Sequence, residues 1–158
     1  MSVLWISADV LRKTIAEAAD KTPFETGGVL LGYEGPDWRE VVVTAVVGPG
    51  PRAEHAQRRY VPDHEYQNRT VAKIYRASGR RTTYLGDWHS HPGGPLRLSR
   101  TDLSTLRAIA EHPAARIERP LMMVLGPGEP EWKVAAWRWH SQYWFRRRAI
   151  RIASIWVF

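Results

Sequence analysis

Cysteine is absent from this chain of 158 residues. That excludes a disulfide scaffold, a thiolate zinc finger and a cysteine nucleophile, and it leaves the redox compartment open. No apolar run approaches the roughly 20 residues that a membrane-spanning helix needs. The start, Met1-Ser2-Val3-Leu4-Trp5, also lacks the basic residues and long apolar core of a secretory signal. The expectation is a cytoplasmic protein with no membrane span. Acids are missing between Trp132 and Phe158, where Lys133, Arg138, Arg146, Arg147, Arg148 and Arg151 supply six of the net charge of +7. The basic character therefore belongs to one end, and the body is not expected to bind nucleic acid.

What is present is an ordinary globular composition, 44% apolar and 25% charged. A chain of this length buries about two-thirds of its unfolded surface in one core. Val3 to Ile6 reads as a strand and Ser7 as the cap of a helix from Ala8 to about Asp20. The apolar run Gly28 to Tyr33 reads as a strand buried on both faces, pairing as a hairpin with Glu40 to Val47. Arg58 to Val61 reads as a short edge strand, and Asp63 caps a helix from His64 to Ser78 that Gly79 stops. Thr82 to His91 reads as a strand and Ser99 to Ala110 as a helix. Pro120 to Leu125 and Glu131 to Trp139 form a further hairpin around Gly126-Pro127-Gly128. Mixed strands and helices joined by hairpins predict the α+β class. Between Gln142 and Phe158, Tyr143, Trp144, Phe145, Ile150, Ile152, Ile155, Trp156 and Phe158 fit either an amphipathic helix or a final strand. The simplest arrangement lays them over the sheet with arginines outward; a basic aromatic partner surface is the alternative.

The stretch that carries chemistry is Gly86-Asp87-Trp88-His89-Ser90-His91-Pro92, followed by Ser99 and Asp102. On a strand, His89 and His91 project from one face and Trp88 and Ser90 from the other. Asp102 sits in the first turn of the next helix. Two imidazoles and a carboxylate form a mixed donor set suited to zinc, and three protein ligands leave the fourth position to water. Such water has a pKa near 7 and supplies a nucleophile at neutral pH. The competing reading makes Ser99-x-x-Asp102 a plain helix cap. The two roles are compatible. The joint pattern His-x-His-Pro-x(6)-Ser-x(2)-Asp arises by chance about once in ten thousand chains of this length, at roughly 5% usage per residue.

These residues, with Glu25-Thr26-Gly27-Gly28-Val29-Leu30-Leu31-Gly32 upstream, resemble the signature of the JAMM (MPN-plus) metallopeptidases. The resemblance spans Val3 to Trp139 and is looser outside the signature. It implies a curved mixed or antiparallel β-sheet flanked by helices, similar to the cytidine-deaminase arrangement. It further implies a domain over residues 1–139, with a basic aromatic extension, 140–158, packed on it. His89, His91 and Asp102 would hold one zinc ion whose fourth ligand is water. Glu25 would be the general base and then the acid toward the leaving amine, and Ser99 the oxyanion donor. The implied activity is hydrolysis of a peptide or isopeptide bond after the C-terminal glycine of a ubiquitin-like protein ending in Gly-Gly. The chain looks like the short prokaryotic form, with that protein and its conjugation enzymes as partners. A non-haem iron oxygenase shares the two-histidine, one-carboxylate set, and a non-catalytic scaffold of this fold is a third reading. His55, His64, His112 and His140 have no partner at a ligand spacing and are expected to be structural. Asp87 is expected to be a solvated edge carboxylate rather than a support for the ligands.

Overall fold

The computed structural model describes residues 2–128, 131–141, 147–152 and 154–158. Ten strands and three α-helices follow in the order β1 (Val3–Ile6), α1 (Ala8–Lys21), β2 (Gly27–Glu34), β3 (Glu40–Val47), β4 (Glu54–Ala56), β5 (Arg59–Val61), α2 (His64–Ala77), β6 (Thr83–Ser90), α3 (Arg100–Glu111), β7 (Leu121–Gly126), β8 (Lys133–Ser141), β9 (Arg147–Arg151) and β10 (Ser154–Val157). Eight strands form one sheet in the order β10-β1-β3-β2-β6-β7-β8-β9, and β4 pairs with β5 in a separate ribbon. The pairs β1–β10, β1–β3 and β6–β7 are parallel and the remainder antiparallel. This is the mixed α+β sheet expected from the sequence.

The order of the strands dictates the curl of the sheet. β9 and β10 lie at opposite margins, yet Arg151 and Ser154 are three residues apart, a reach of about 11 Å at most. Eight strands laid flat would separate them by about 34 Å. The sheet therefore bends until its margins approach each other. Its concave side holds the main core, in which Val10 and Ala18 of α1 meet Leu4, Ile6, Leu30, Val43, Trp88 and Met123. The convex side carries α2 over β2, β3 and β6, and α3 over β7 and β8. The run Val29-Leu30-Leu31 serves both sides: Leu30 enters the main core, while Val29 and Leu31 pack against Tyr66, Val71 and Ile74.

Several local expectations change. Ser7 stands at the start of α1 but makes no side-chain cap bond, whereas Asp63 does cap α2, accepting from the Tyr66 N–H. Arg59–Val61 is not an edge of the main sheet; it belongs to the small ribbon with Glu54–Ala56. The C-terminal stretch does not lie over the sheet but supplies strands at both of its margins. Tyr143, Trp144 and Phe145 lie outside the described residues. No described helix is long and apolar enough to cross a membrane.

Strict alternation along β6 also fails. Leu30 faces Gly86 while Leu31 faces Tyr84, so Leu85 is an extra residue, a β-bulge. Leu85 and Trp88 thereby share the main core, and Tyr84 and Asp87 share the opposite side. Gly86 sits at φ +149°, and a Cβ there would stand 1.9 Å from the Leu121 carbonyl oxygen. Only glycine permits this approach of β6 to β7.

Candidate metal centre

β6 lies inside the sheet between β2 and β7, so the residues at its C-terminal end start from a rigid platform. His89 belongs to the strand, and the His91 N–H extends the ladder by donating to the Leu125 carbonyl at 2.7 Å. Between them, Ser90 is fully buried. Its N–H donates to the Thr26 carbonyl at 2.8 Å, and its hydroxyl accepts the Thr26 N–H at 3.1 Å. This reciprocal pair continues the β2–β6 register, in which Gly27 faces His89. Glu25 therefore falls opposite His91. Sixty-four positions of sequence are closed by one strand pairing, and the ladder explains how.

Asp102 arrives from the other direction. Ser99 caps α3 in a reciprocal box: its hydroxyl accepts the Asp102 N–H at 3.1 Å, and Asp102 Oδ2 accepts the Ser99 N–H at 2.6 Å. The other carboxylate oxygen is 3.3 Å from His89 Nε2, and Oδ2 is 3.6 Å from His91 Nε2. The two Nε2 atoms are 2.9 Å apart. His91 Nδ1 donates to the Pro95 carbonyl at 3.1 Å, which leaves its Nε2 as a bare lone pair aimed at the others.

This donor set fits a small dication. Ligand atoms at 2.0–2.1 Å from a tetrahedral zinc are separated by about 3.3 Å; here the two Nε2 atoms are 2.9 Å apart, and the Asp102 carboxylate turns one oxygen to each ring, at 3.3 and 3.6 Å. His89, His91 and Asp102 are all half-buried and converge within 4.8 Å. Two imidazole lone pairs and an anion so close together need a positive charge between them. Burial and the adjacent His89 hold His91 below its ordinary pKa, against the Pro95 carbonyl and Asp102. Its neutral form is the ligating one. Burial acts to raise the Asp102 carboxyl, but His89 and the Ser99 donors outweigh it and hold it well below the usual carboxylate range.

Glu25 and Ser99 line the same cleft as the three ligands, a cavity of about 1100 Å³. Burial pushes the Glu25 carboxyl up, His89 opposes that shift, and the charge of Asp102 adds to it. Its main chain is clamped by the ribbon: the Glu25 N–H donates to the Ala56 carbonyl at 2.8 Å, and its carbonyl accepts from His55 Nδ1 at 2.9 Å. His55, which also stacks on Tyr60, thus holds the segment that carries Glu25. Nothing in the spacing of His55 signals this.

Asp87 is a correction. It is not a solvated edge carboxylate, because β6 is internal and Asp87 lies half-buried in the cleft wall. Burial pushes it up to about 6 despite the Tyr84 hydroxyl, which donates to it at 2.9 Å. Its parity with His89 on the strand was the available signal. His64 also lines the cleft, while His112 accepts the Ala114 N–H and His140 packs edge-on against Trp38.

An internal strand carrying two imidazoles, a capped helix supplying a carboxylate and a wide cleft define a metallohydrolase. The family model for prokaryotic homologues of the JAB domain matches residues 7–140, and the chain belongs to that family of metallopeptidases. It is 36% identical over 136 residues to a protein of Sinorhizobium fredii named probable metalloprotease y4qB, covering 85% of this chain and 82% of that one. It is 28% identical over 127 residues to a CD-NTase/cGAS isopeptidase of Enterobacter hormaechei, covering 79% and 67% respectively. A solution structure of a protein from Desulfitobacterium hafniense has the same fold, with a TM-score of 0.68 at 19% identity over 98% of this chain and 92% of that one. The JAMM resemblance read from the signature, and the enzyme class it implied, are borne out.

Proposed function

We propose that the protein is a zinc-dependent isopeptidase that cuts after the C-terminal glycine of a ubiquitin-like protein, in deconjugation or precursor maturation, and that it works in the cytoplasm. The observation that carries this is the convergence of His89, His91 and Asp102 within 4.8 Å in a cleft that Glu25 also lines. His89, His91 and Asp102 would hold a zinc ion, which would supply Lewis acidity and lower the pKa of bound water.

Glu25 accepts the proton of the attacking water and passes it to the departing amine. Burial raises its pKa, which favours holding the proton it must later pass on. The Ser99 hydroxyl accepts one hydrogen bond, from the Asp102 N–H. It keeps its own proton to donate to the developing oxyanion. No side chain becomes covalently attached to substrate.

The wall beside Glu25 is the β4–β5 ribbon, in which β4 holds the Glu25 N–H through Ala56 and β5 pairs, among the described residues, with β4 alone. An extended tail adds to a strand edge through main-chain hydrogen bonds, and a Gly-Gly terminus brings no side chain to the reacting bond. The relative named as an isopeptidase supports an isopeptide substrate. The test loads the purified protein with zinc and incubates it with fusions of a Gly-Gly-terminated ubiquitin-like protein, joined linearly or through a lysine. Mass spectrometry should read a cut after the last glycine. Metal analysis showing iron, with oxygen uptake and no cleavage, would replace this reading with the oxygenase.

A further inference from the structure

Charge is divided unevenly within the cleft. Its carboxylates are engaged: Asp102 with the imidazoles and Ser99, Asp87 with the Tyr84 hydroxyl, and Glu25 in the field of His89. Its ribbon wall carries Arg58 and Arg59, both exposed, and neither has a side-chain hydrogen bond or ion pair among the described residues. Some arginines elsewhere are paired with acids instead. Arg52 pairs with Asp63 and Glu65, Arg69 with Glu65, Arg107 with Glu111 and Arg138 with Glu34. The opposite wall is drawn from residues 92–105; Arg97 and Arg100, exposed on that segment, do not line the cleft. The only acid of that wall is Asp102, already committed. Glu54, at the start of the ribbon, does not line the cleft.

We infer that the cleft selects substrate tails that are acidic in the residues just upstream of the scissile glycine. This rests on the preceding reading that an extended tail enters beside Glu25. A carboxylate brought to either guanidinium gains paired, charge-assisted hydrogen bonds. A basic tail meets like charge at the ribbon wall. The same field steers acidic tails inward at a rate that falls as salt rises.

Three tails on one carrier test this: Asp-Asp-Gly-Gly, Ser-Ser-Gly-Gly and Arg-Arg-Gly-Gly, each joined through the last glycine to a reporter peptide. The zinc-loaded protein should cut the aspartate tail with a kcat/KM at least about tenfold above the arginine tail at low salt, with serine between and the gap narrowing at high salt. The Arg58→Glu/Arg59→Glu double variant should reverse that order, and Arg58→Ser/Arg59→Ser should flatten it. Fluorescence anisotropy of the free tails on metal-free protein should show the same ranking. Cutting of the serine tail with no aspartate preference overturns the inference and leaves the isopeptidase reading intact. If no tail is cut, that reading falls, and anisotropy alone decides whether the ribbon wall discriminates.

Discussion

Two carboxylates reach this centre from two differently built regions. Asp102 stands in the first turn of α3, where the Ser99 N–H and the His89 ring hold its charge. Glu25 stands just before β2, where it has neighbours that bury it but no comparable set of donors. One acid is kept ionised and the other is pushed toward protonation, although both face the same cleft. The difference teaches that environment, rather than residue type, divides the work: a permanent anion suits a metal ligand, and a tunable acid suits proton transfer.

Removing the fixed anion should do the most damage. Asp102→Ala is expected to lose both bound metal and activity, the latter on the order of a thousandfold or more. Elemental analysis beside kcat/KM checks it, and a full metal complement in that variant would break the contrast. Glu25→Gln should keep its metal and lose kcat by about a hundredfold to ten-thousandfold. Retained turnover there would mean that the base lies elsewhere.

The pH profile sharpens the same division. Glu25 must be ionised to accept a proton, and its pKa lies above the ordinary 4.5. Activity should therefore fall as pH drops through that raised value, and this acid limb should be missing from the residual activity of Glu25→Gln. Ser90→Ala is expected to have an intermediate effect. It strands the buried Thr26 N–H, costing about 1–3 kcal/mol of stability, and lowers kcat with metal retained because Glu25 loses its alignment with His91. Smallest of all should be Trp88→Phe, on the core side of the same strand. The Trp88 indole N–H is buried with no hydrogen-bond partner among the described residues, so the gain from removing it offsets most of the cavity left by the smaller ring, and the net change should stay below about 1 kcal/mol. Thermal denaturation measures both.

The clustering of His89, His91 and Asp102 was legible because the three are local in sequence. His89 and His91 share a strand face by parity, and Asp102 follows on the next helix at a fixed distance in sequence. Glu25 was legible only through resemblance, since the Thr26–Ser90 bonds that bring it opposite His91 are long-range. The bulge at Leu85 had one signal, a glycine inside a strand pattern at Gly86. Alternation alone missed it, and with it the burial of Asp87. Glu54-His55-Ala56 lacks the β-branched run that marks a strand; its pairing with Arg59–Val61 comes from tertiary context. The C-terminal segment was ambiguous for a related reason. Its apolar residues fit helix or strand equally well, and its destination depended on two margins far away in sequence.

That destination has a mechanical consequence. β9 and β10 fasten the two rims of the sheet with two residues of chain between Arg151 and Ser154, whereas β6 lies near the middle, with four strands on one side and three on the other. A nick in this fastener would free both rims at once, and the resulting fraying would travel inward through several paired strands before it disturbed the imidazoles. Wear and chemistry are thereby kept at opposite ends of the same barrel-like wall.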